Sequence, residues 1–257
     1  MKSNKWKFLL TGVATLTLLT ACTQASSQSA TKSNTAQTTA TSTSKNKTNN
    51  SNYFTDKDKD SSYDESKAST VKLSGSSASV SGDGVAVSGS TVTISKAGTY
   101  VISGESDGVQ IKVEAGDSDD VHIVLKGVTM TNTNAPISAT KAGHVYLTLA
   151  DGTTNTLSDS SSNTDEDADA VIFSKGDLTI NGSGTLNIDA KKNNGIKAND
   201  TLHITGGTYK ITAVGDAFNV NDELNITGTT MTIDADEDAV KVDNDEDTSV
   251  GTMYLSD

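Results

Sequence analysis

From Val71 onward, apolar and polar residues alternate in short runs broken by Gly, Asn and Asp, and no stretch carries the spacing of an amphipathic helix. Val92–Ile94, Tyr100–Ile102, Val109–Val113, Val121–Leu125 and Val145–Leu149 each read as a β-strand. From Asp169 the strands recur. Asp169-Ala-Val171, Leu178-Thr-Ile180-Asn-Gly182 and Leu186-Asn-Ile188-Asp-Ala190 are followed by Asn194-Gly-Ile196, Leu202-His-Ile204-Thr-Gly206 and Tyr209-Lys-Ile211-Thr-Ala213. A third unit runs from Asp216 through Leu224-Asn-Ile226-Thr-Gly228 to Ala235, and a fourth opens at Asp238. The starting residues are 25, 22 and 22 positions apart, with weaker copies at Asp107 and Asn134. A period near 22 holding three short strands is too short for a propeller blade and contains no helix, so a leucine-rich array is excluded as well. We expect an all-β chain wound as a right-handed single-stranded parallel β-helix, with rungs of about 22 residues and three strands each.

In that arrangement Val171, Ile196, Phe218 and Val240 stack on one inward face, Leu178, Leu202 and Leu224 on a second, and Ile188, Ile211 and Ile233 on a third. Gly182, Gly206 and Gly228 then fall at corners that need unusual backbone angles. Tyr209 and Phe218 point inward, which leaves Tyr100, Tyr146 and Tyr254 as the aromatic platforms for a sugar ring. His122, His144 and His203 are scattered through strands without metal-ligand spacing and read as packing or surface residues.

The first residues follow different rules. Lys2, Lys5 and Lys7 precede an apolar stretch from Phe8 to Leu19 that is too short for a comfortable membrane span and fits the core of a secretory signal. It ends in Leu19-Thr-Ala-Cys22, which resembles the lipobox of bacterial lipoproteins. Residues 1–21 are therefore expected to be removed, with Cys22 lipidated as the membrane anchor and the protein displayed on the outer face of the cell membrane. No second cysteine exists to form an internal disulfide. Residues 22–67 are rich in Ser, Thr, Asn, Gln, Ala and Lys with almost no branched aliphatics, the composition of a disordered stalk reaching roughly 35–40 Å. Within it Tyr53, Phe54 and Tyr63 stand out, either as solvated linker or as residues docking on the domain that occupies 68–257.

Composition narrows the partners. A formal charge of -13 argues against nucleic acid, whose binding rests on cationic side chains. All 20 positive side chains are lysines, since the chain contains no arginine.

The repeated Asp-Ala-Val units with Leu-x-Ile-x-Gly, together with Gly98-Thr-Tyr-Val-Ile-Ser-Gly104 and Leu149-Ala-Asp-Gly-Thr-Thr-Asn-Thr-Leu157, resemble a family of secreted carbohydrate-binding β-helix proteins similar in fold to pectate lyases. The resemblance runs from about residue 70 to residue 257. It implies calcium binding and recognition of an acidic polysaccharide of the polygalacturonate type. Members of that family generally continue through further rungs, so the strand-like Thr252–Leu255 is expected to leave an open end that needs a cap.

Rungs about 4.8 Å apart would bring Asp169, Asn194, Asp216 and Asp238 into one column, with Asp167, Asp189, Asp234 and Asp236 nearby. Two carboxylates about 5 Å apart repel by about 3 kcal/mol at an effective dielectric near 20, a cost that calcium would relieve. The same residues also suit tight turns for local reasons alone. No segment has EF-hand spacing. Lys175, Lys197 and Lys241 are the candidate partners of glycan carboxylates, the last two at equivalent places in their units. A lyase of the pectate type would use a strongly basic arginine or lysine beside calcium; without arginine, the expected function is binding by a monomer rather than catalysis. An adhesin or surface spacer without glycan affinity, and a lyase on the same fold, are the alternatives.

Overall fold

The structure is a computed structural model that describes residues 53–257 and the backbone of Phe8–Leu9, which lies antiparallel to Thr232 and Ile233. The signal segment and Cys22 otherwise lie outside the described residues. Nearly all of the fold is β, organised as two sheets whose long-range pairings, that of Phe8–Leu9 apart, are parallel. Such parallel pairing over distant residues, with no crossover helix among the described residues, makes the architecture β-helix-like.

Three ladders carry the packing. The first runs through Thr91–Ile94, Gln110–Glu114, Ile137–Lys141, Ala170–Ser174, Asn194–Ala198, Phe218–Val220 and Lys241–Val242. The second stacks Asp120–Leu125 beneath His144–Leu149, then Leu178–Gly182, Thr201–Thr205, Glu223–Thr227 and Thr252–Ser256. The third stacks Thr154–Ser158, Thr185–Ala190, Thr208–Ala213 and Thr230–Ala235. Long strands, Gly98–Asp107 and Asp120–Thr131, bend from the second ladder into the third and join the two into one sheet.

Register follows the apolar period. Leu178 pairs with Leu202 and Leu202 with Leu224, while Ile188 pairs with Ile211 and Ile211 with Ile233. On the first ladder the match is one residue away from the expected one. Ile172, rather than Val171, pairs with Ile196, which pairs with Phe218. All of Ala170 to Ser174 is buried, so apolar pattern alone could not choose between the neighbours. The inward side chains form one continuous core that includes Val92, Ile123, Leu147, Ile180, Ile204 and Phe218. At the start of the stack, Ser69–Gly75 pairs antiparallel with Ser77–Ser81, and Val85–Ser88 with Thr91–Ile94, closing the first edge with hairpins.

The corner glycines have a geometric reason. Gly182 sits at φ +94, and a Cβ there would overlap the carbonyl oxygen of Leu149 on the turn below. Gly228 at φ +62 has open space around it.

The end of the expected stalk is packed rather than free. Residues 53–68 form a strap across the outer side of the second ladder, from the last turn back to the first. Tyr53 stacks on Tyr254 with ring centroids 3.9 Å apart, and its carbonyl accepts from Asn225 Nδ2 at 3.0 Å. Phe54 is buried edge-on to His203. Thr55 caps the single turn Asp56–Lys59 in a capping box with Asp58. The buried Asp58 carboxylate accepts from Thr179 Oγ1 at 2.7 Å and lies 3.3 Å from His203 Nδ1. Asn181 Nδ2 donates to the Asp58 and Asp60 carbonyls, Lys57 covers the Tyr146 ring, and Tyr63 meets His122 edge-on. Tyr63 and Ala68 complete a small cluster with Val101, Val124 and Ala150. The sequence shows no helical or strand pattern here because the strap is held by side chains of the sheet, not by its own backbone period.

Two outcomes follow for stability. Gly228→Ala should cost about 1–2 kcal/mol, the ordinary penalty of a left-handed residue, whereas Gly182→Ala should cost clearly more because a backbone atom must also move, as read from denaturant midpoints. Hydrogen bonds from His203, Thr179 and Thr55 outweigh burial and hold the Asp58 carboxyl far below its usual pKa. Its contribution is therefore complete above the unfolded value near 3.9 and declines as pH falls below that; hydrogen exchange of residues 53–60 should accelerate in Asp58→Ala at pH 7, and the difference from the parent should shrink on acidification.

Candidate functional site

An insertion builds an open cleft. On the third ladder Ser158 pairs with Asp189, 31 residues on, whereas the following step from Asp189 to Thr212 is 23. The extra residues form a loop, 159–169, that folds over the first ladder. Phe173 anchors it from below by packing against Ala135 and Ala168. Asp159 ties its start to the next turn by accepting from the Lys191 N–H at 2.7 Å, and burial pushes this carboxyl up from its ordinary pKa. Within the loop Asn163 Oδ1 accepts from Asp165 N–H at 2.9 Å, and Asp165 Oδ1 accepts from Ala168 N–H at 3.0 Å.

Between this loop and the corner at 192–193 lies an open cleft of about 530 Å³, lined by Asn163, Thr164, Asp165, Glu166, Asp169, Lys192 and Asn193. That is within the 300–1,000 Å³ or so of small-ligand sites, but its walls are polar throughout. Asp169 organises the inner wall: one carboxylate oxygen accepts from Lys197 Nζ at 2.7 Å and the other from Asn193 Nδ2. Both partners of the ion pair have side chains only 19% exposed, so the pair is held rigidly. Carboxylates, amides, a hydroxyl and an ammonium group converging on one concave surface can exchange several hydrogen bonds with a polyhydroxylated ligand.

The expected acidic column is only partly assembled. Asn194, Asp216 and Asp238 do follow one another, but the oxygens of Asn194 and Asp216 are used for turn chemistry. Asn194 Oδ1 accepts from Asp216 N–H at 3.2 Å, Asp216 Oδ1 from Asp238 N–H at 3.0 Å, and Asp216 Oδ2 from Asn219 Nδ2 at 2.7 Å. Asp169 is displaced from the column because Ala170, not Asp169, pairs with Asn194. Asp189 and Asp234 lie on the outer side of the third ladder, separated by Thr212, with Asp189 3.6 Å from Lys191. Asp167 is exposed on the loop, and Asp236 and Asp238 are exposed at the last corner. Among the described residues no group of three or more His, Cys, Asp or Glu side chains is disposed to hold a metal ion. Within the column Asn194 and Asp216 act as backbone caps.

Of the candidate lysines, Lys197 and Lys241 do share one outward column, with Asn219 between them, whereas Lys175 lies one residue beyond its strand. The aromatic platforms are occupied. Tyr100 is buried with its hydroxyl donating to the Lys96 carbonyl at 2.8 Å, Tyr146 is stacked by His144, and Tyr254 is stacked by Tyr53. His122 and His144 donate to or accept from Thr148 and Thr179, and burial lowers the pKa of both imidazoles.

Asn163, Thr164, Asp165, Glu166 and Asn193 were absent from the residues expected from sequence. Their signal was the broken period between Leu157 and Ala170, since insertions in a repeat map to loops on one face.

A model of one protein family, described as carbohydrate-binding domain-containing protein, matches residues 88–257. The chain belongs to that carbohydrate-binding family. The match takes in the insertion loop and the cleft. No curated protein matches the chain. Among solved structures, a polysaccharide lyase-like protein from C. thermocellum, described as a gadolinium derivative, is similar at 25% identity and a TM-score of 0.59, over 74% of this chain and 97% of that one.

The capping role of the column is open to test. Asp216→Ala should destabilise by about 1–3 kcal/mol through its unsatisfied Asp238 and Asn219 donors, with the same loss in calcium and in chelator, while the exposed Asp238→Ala leaves the melting temperature nearly unchanged.

Proposed function

We propose that this protein is a non-catalytic receptor for an acidic polysaccharide of the polygalacturonate type, held at the cell surface by a lipid on Cys22. The observation that carries the reading is the polar cleft raised by the 159–169 insertion within a carbohydrate-binding family. Supporting it, Lys192 lines the cleft, Lys197 backs it through Asp169, and Lys241 continues the same outward column. Ammonium groups recognise uronate carboxylates through charge-assisted hydrogen bonds. On this reading the right-handed single-stranded coil serves as a rigid rod presenting one modified turn.

Calcium assistance enters as an ion carried between the glycan and the exposed rim carboxylates of Asp165 and Glu166, rather than as an ion enclosed by the corner column. A bridging ion of this kind reconciles a protein of formal charge -13 with an acidic ligand. The lyase reading draws on the description of the C. thermocellum structure. Against it stand the absence of arginine and the engagement of the Lys197 ammonium by Asp169. Proton abstraction requires a base with a free lone pair in reach of the substrate.

Retention on gelled polygalacturonate, compared with cellulose and xylan, tests the ligand class. Binding should be selective for the uronate gel, weaken in chelator, and fall by about tenfold or more in Lys192→Ala or Asn193→Ala, the scale of a lost charge-assisted hydrogen bond. Equal retention on all three matrices would refute the assignment, and an unsaturated product absorbing in the near ultraviolet would show that the protein is a lyase.

A further inference from the structure

A smaller cavity lies where the strap crosses the bend between the second and third ladders. Its volume is about 220 Å³, below the about 300–1,000 Å³ of sites for drug-sized ligands and suited to a single ring. Ser61 and Tyr63 of the strap form one wall; Lys126, Asp151, Thr153 and Ser183 contribute polar groups from the sheet, over an apolar floor of Leu149 and Ala150.

We propose that this cavity is a second glycan subsite, that it takes one neutral pyranose residue, and that sugar binding there is coupled to docking of the strap. Three observations carry it. First, Tyr63 puts an aromatic ring in the wall of this cavity. Of the other aromatic side chains among the described residues, Tyr100, Tyr209 and Phe218 are buried in the core, Phe54 is buried against His203, Phe173 lies under the insertion, and Tyr53, Tyr146 and Tyr254 are stacked on other rings. An aromatic ring beside hydroxyl and carboxylate groups suits a sugar, which has apolar C–H faces and a polar rim. Second, Ser183 Oγ donates to Asp151 Oδ1 at 2.6 Å across successive turns, which fixes a hydroxyl and a carboxylate at the rim. Third, the charge is already compensated. Lys126 is bonded to both oxygens of Glu65 at 2.9 and 2.7 Å, leaving Asp151 as the unbalanced charge. A uronate carboxylate would meet that negative charge without a free cation to offset it, so the cavity selects against the acidic sugars proposed for the cleft.

Coupling follows from construction. Because Ser61 and Tyr63 belong to the strap and the other groups to the sheet, the site is whole only while the strap is docked. A ligand that binds the docked form alone must stabilise docking by mass action.

The full chain titrated with methyl β-D-glucopyranoside, methyl β-D-galactopyranoside and galacturonate, followed by NMR of the tyrosine rings and by hydrogen exchange over residues 53–67, tests the proposal. At least one neutral glycoside should shift the Tyr63 resonances saturably and slow exchange of the strap, with galacturonate at least about tenfold weaker. Tyr63→Ala, which removes that reporter, should abolish the slowing of strap exchange by the sugar. Asp151→Ala, which leaves the strap's own contacts in place, should lose sugar binding while exchange of the sugar-free strap stays unchanged. Lys192→Ala should retain the response even where it loses polygalacturonate, so the two sites fail separately. No saturable shift with either neutral glycoside, tighter binding of galacturonate, or a response that survives both Tyr63→Ala and Asp151→Ala would overturn the proposal.

Discussion

Each turn of this protein buries its apolar residues only against the turns above and below, and the whole structure depends on keeping those columns in register. A slip of one residue along a strand would turn Leu202, Ile204 and their neighbours to solvent and bring Thr201, His203 and Thr205 inward. Long-range parallel pairing therefore rests on repetition, since a residue finds the right neighbour because the same pattern returns at about the same interval. Where the interval holds, as from Leu202 to Leu224, strands pair residue for residue. Where it stretches, the surplus chain is pushed out at a corner.

Those corners divide the chemistry. Regular ones are occupied by Asn194, Asp216 and Asp238, and the side chains of Asn194 and Asp216 each accept a backbone N–H from the next turn. The oxygens of these two are engaged locally, and this limits what they can offer to a ligand. The irregular corner is different. Its loop closes on itself through Asn163 and Asp165 and is pinned by Phe173, which leaves Glu166, Lys192 and the Asp169–Asn193 pair facing a common space. Stability thus comes from the repeat and concavity from its interruption.

The same division explains what could be read from the sequence. Period-2 alternation within a 22-residue period was enough to indicate an all-β, parallel, β-helix-like chain, and the Leu178 and Ile188 columns follow from it directly. The Val171 assignment missed by one position because Ala170 to Ser174 is buried on both sides, so the alternation that fixes phase elsewhere is missing there. The candidate site was less legible. Lys197 and Asp169 were picked out singly, but their ion pair depends on a register offset that only the folded chain reveals. The strap was hidden for another reason: its polar residues look like linker, and Asp58 becomes a buried carboxylate only because Thr179 and His203 wait on a distant part of the chain.

The path of the strap also sets where the preceding segment meets the fold. The polar N-terminal segment meets the fold at Tyr53, against Tyr254 on the last turn, and the chain then runs back over the outer face before Ser69 enters the first. Were the proposed tether pulled, load would reach the last strands first, parting Tyr53 from Tyr254 and Phe54 from His203 before any core strand bears it. Some fifteen residues of slack are stored in this contact, and a tethered domain could lengthen its reach by releasing them without unfolding.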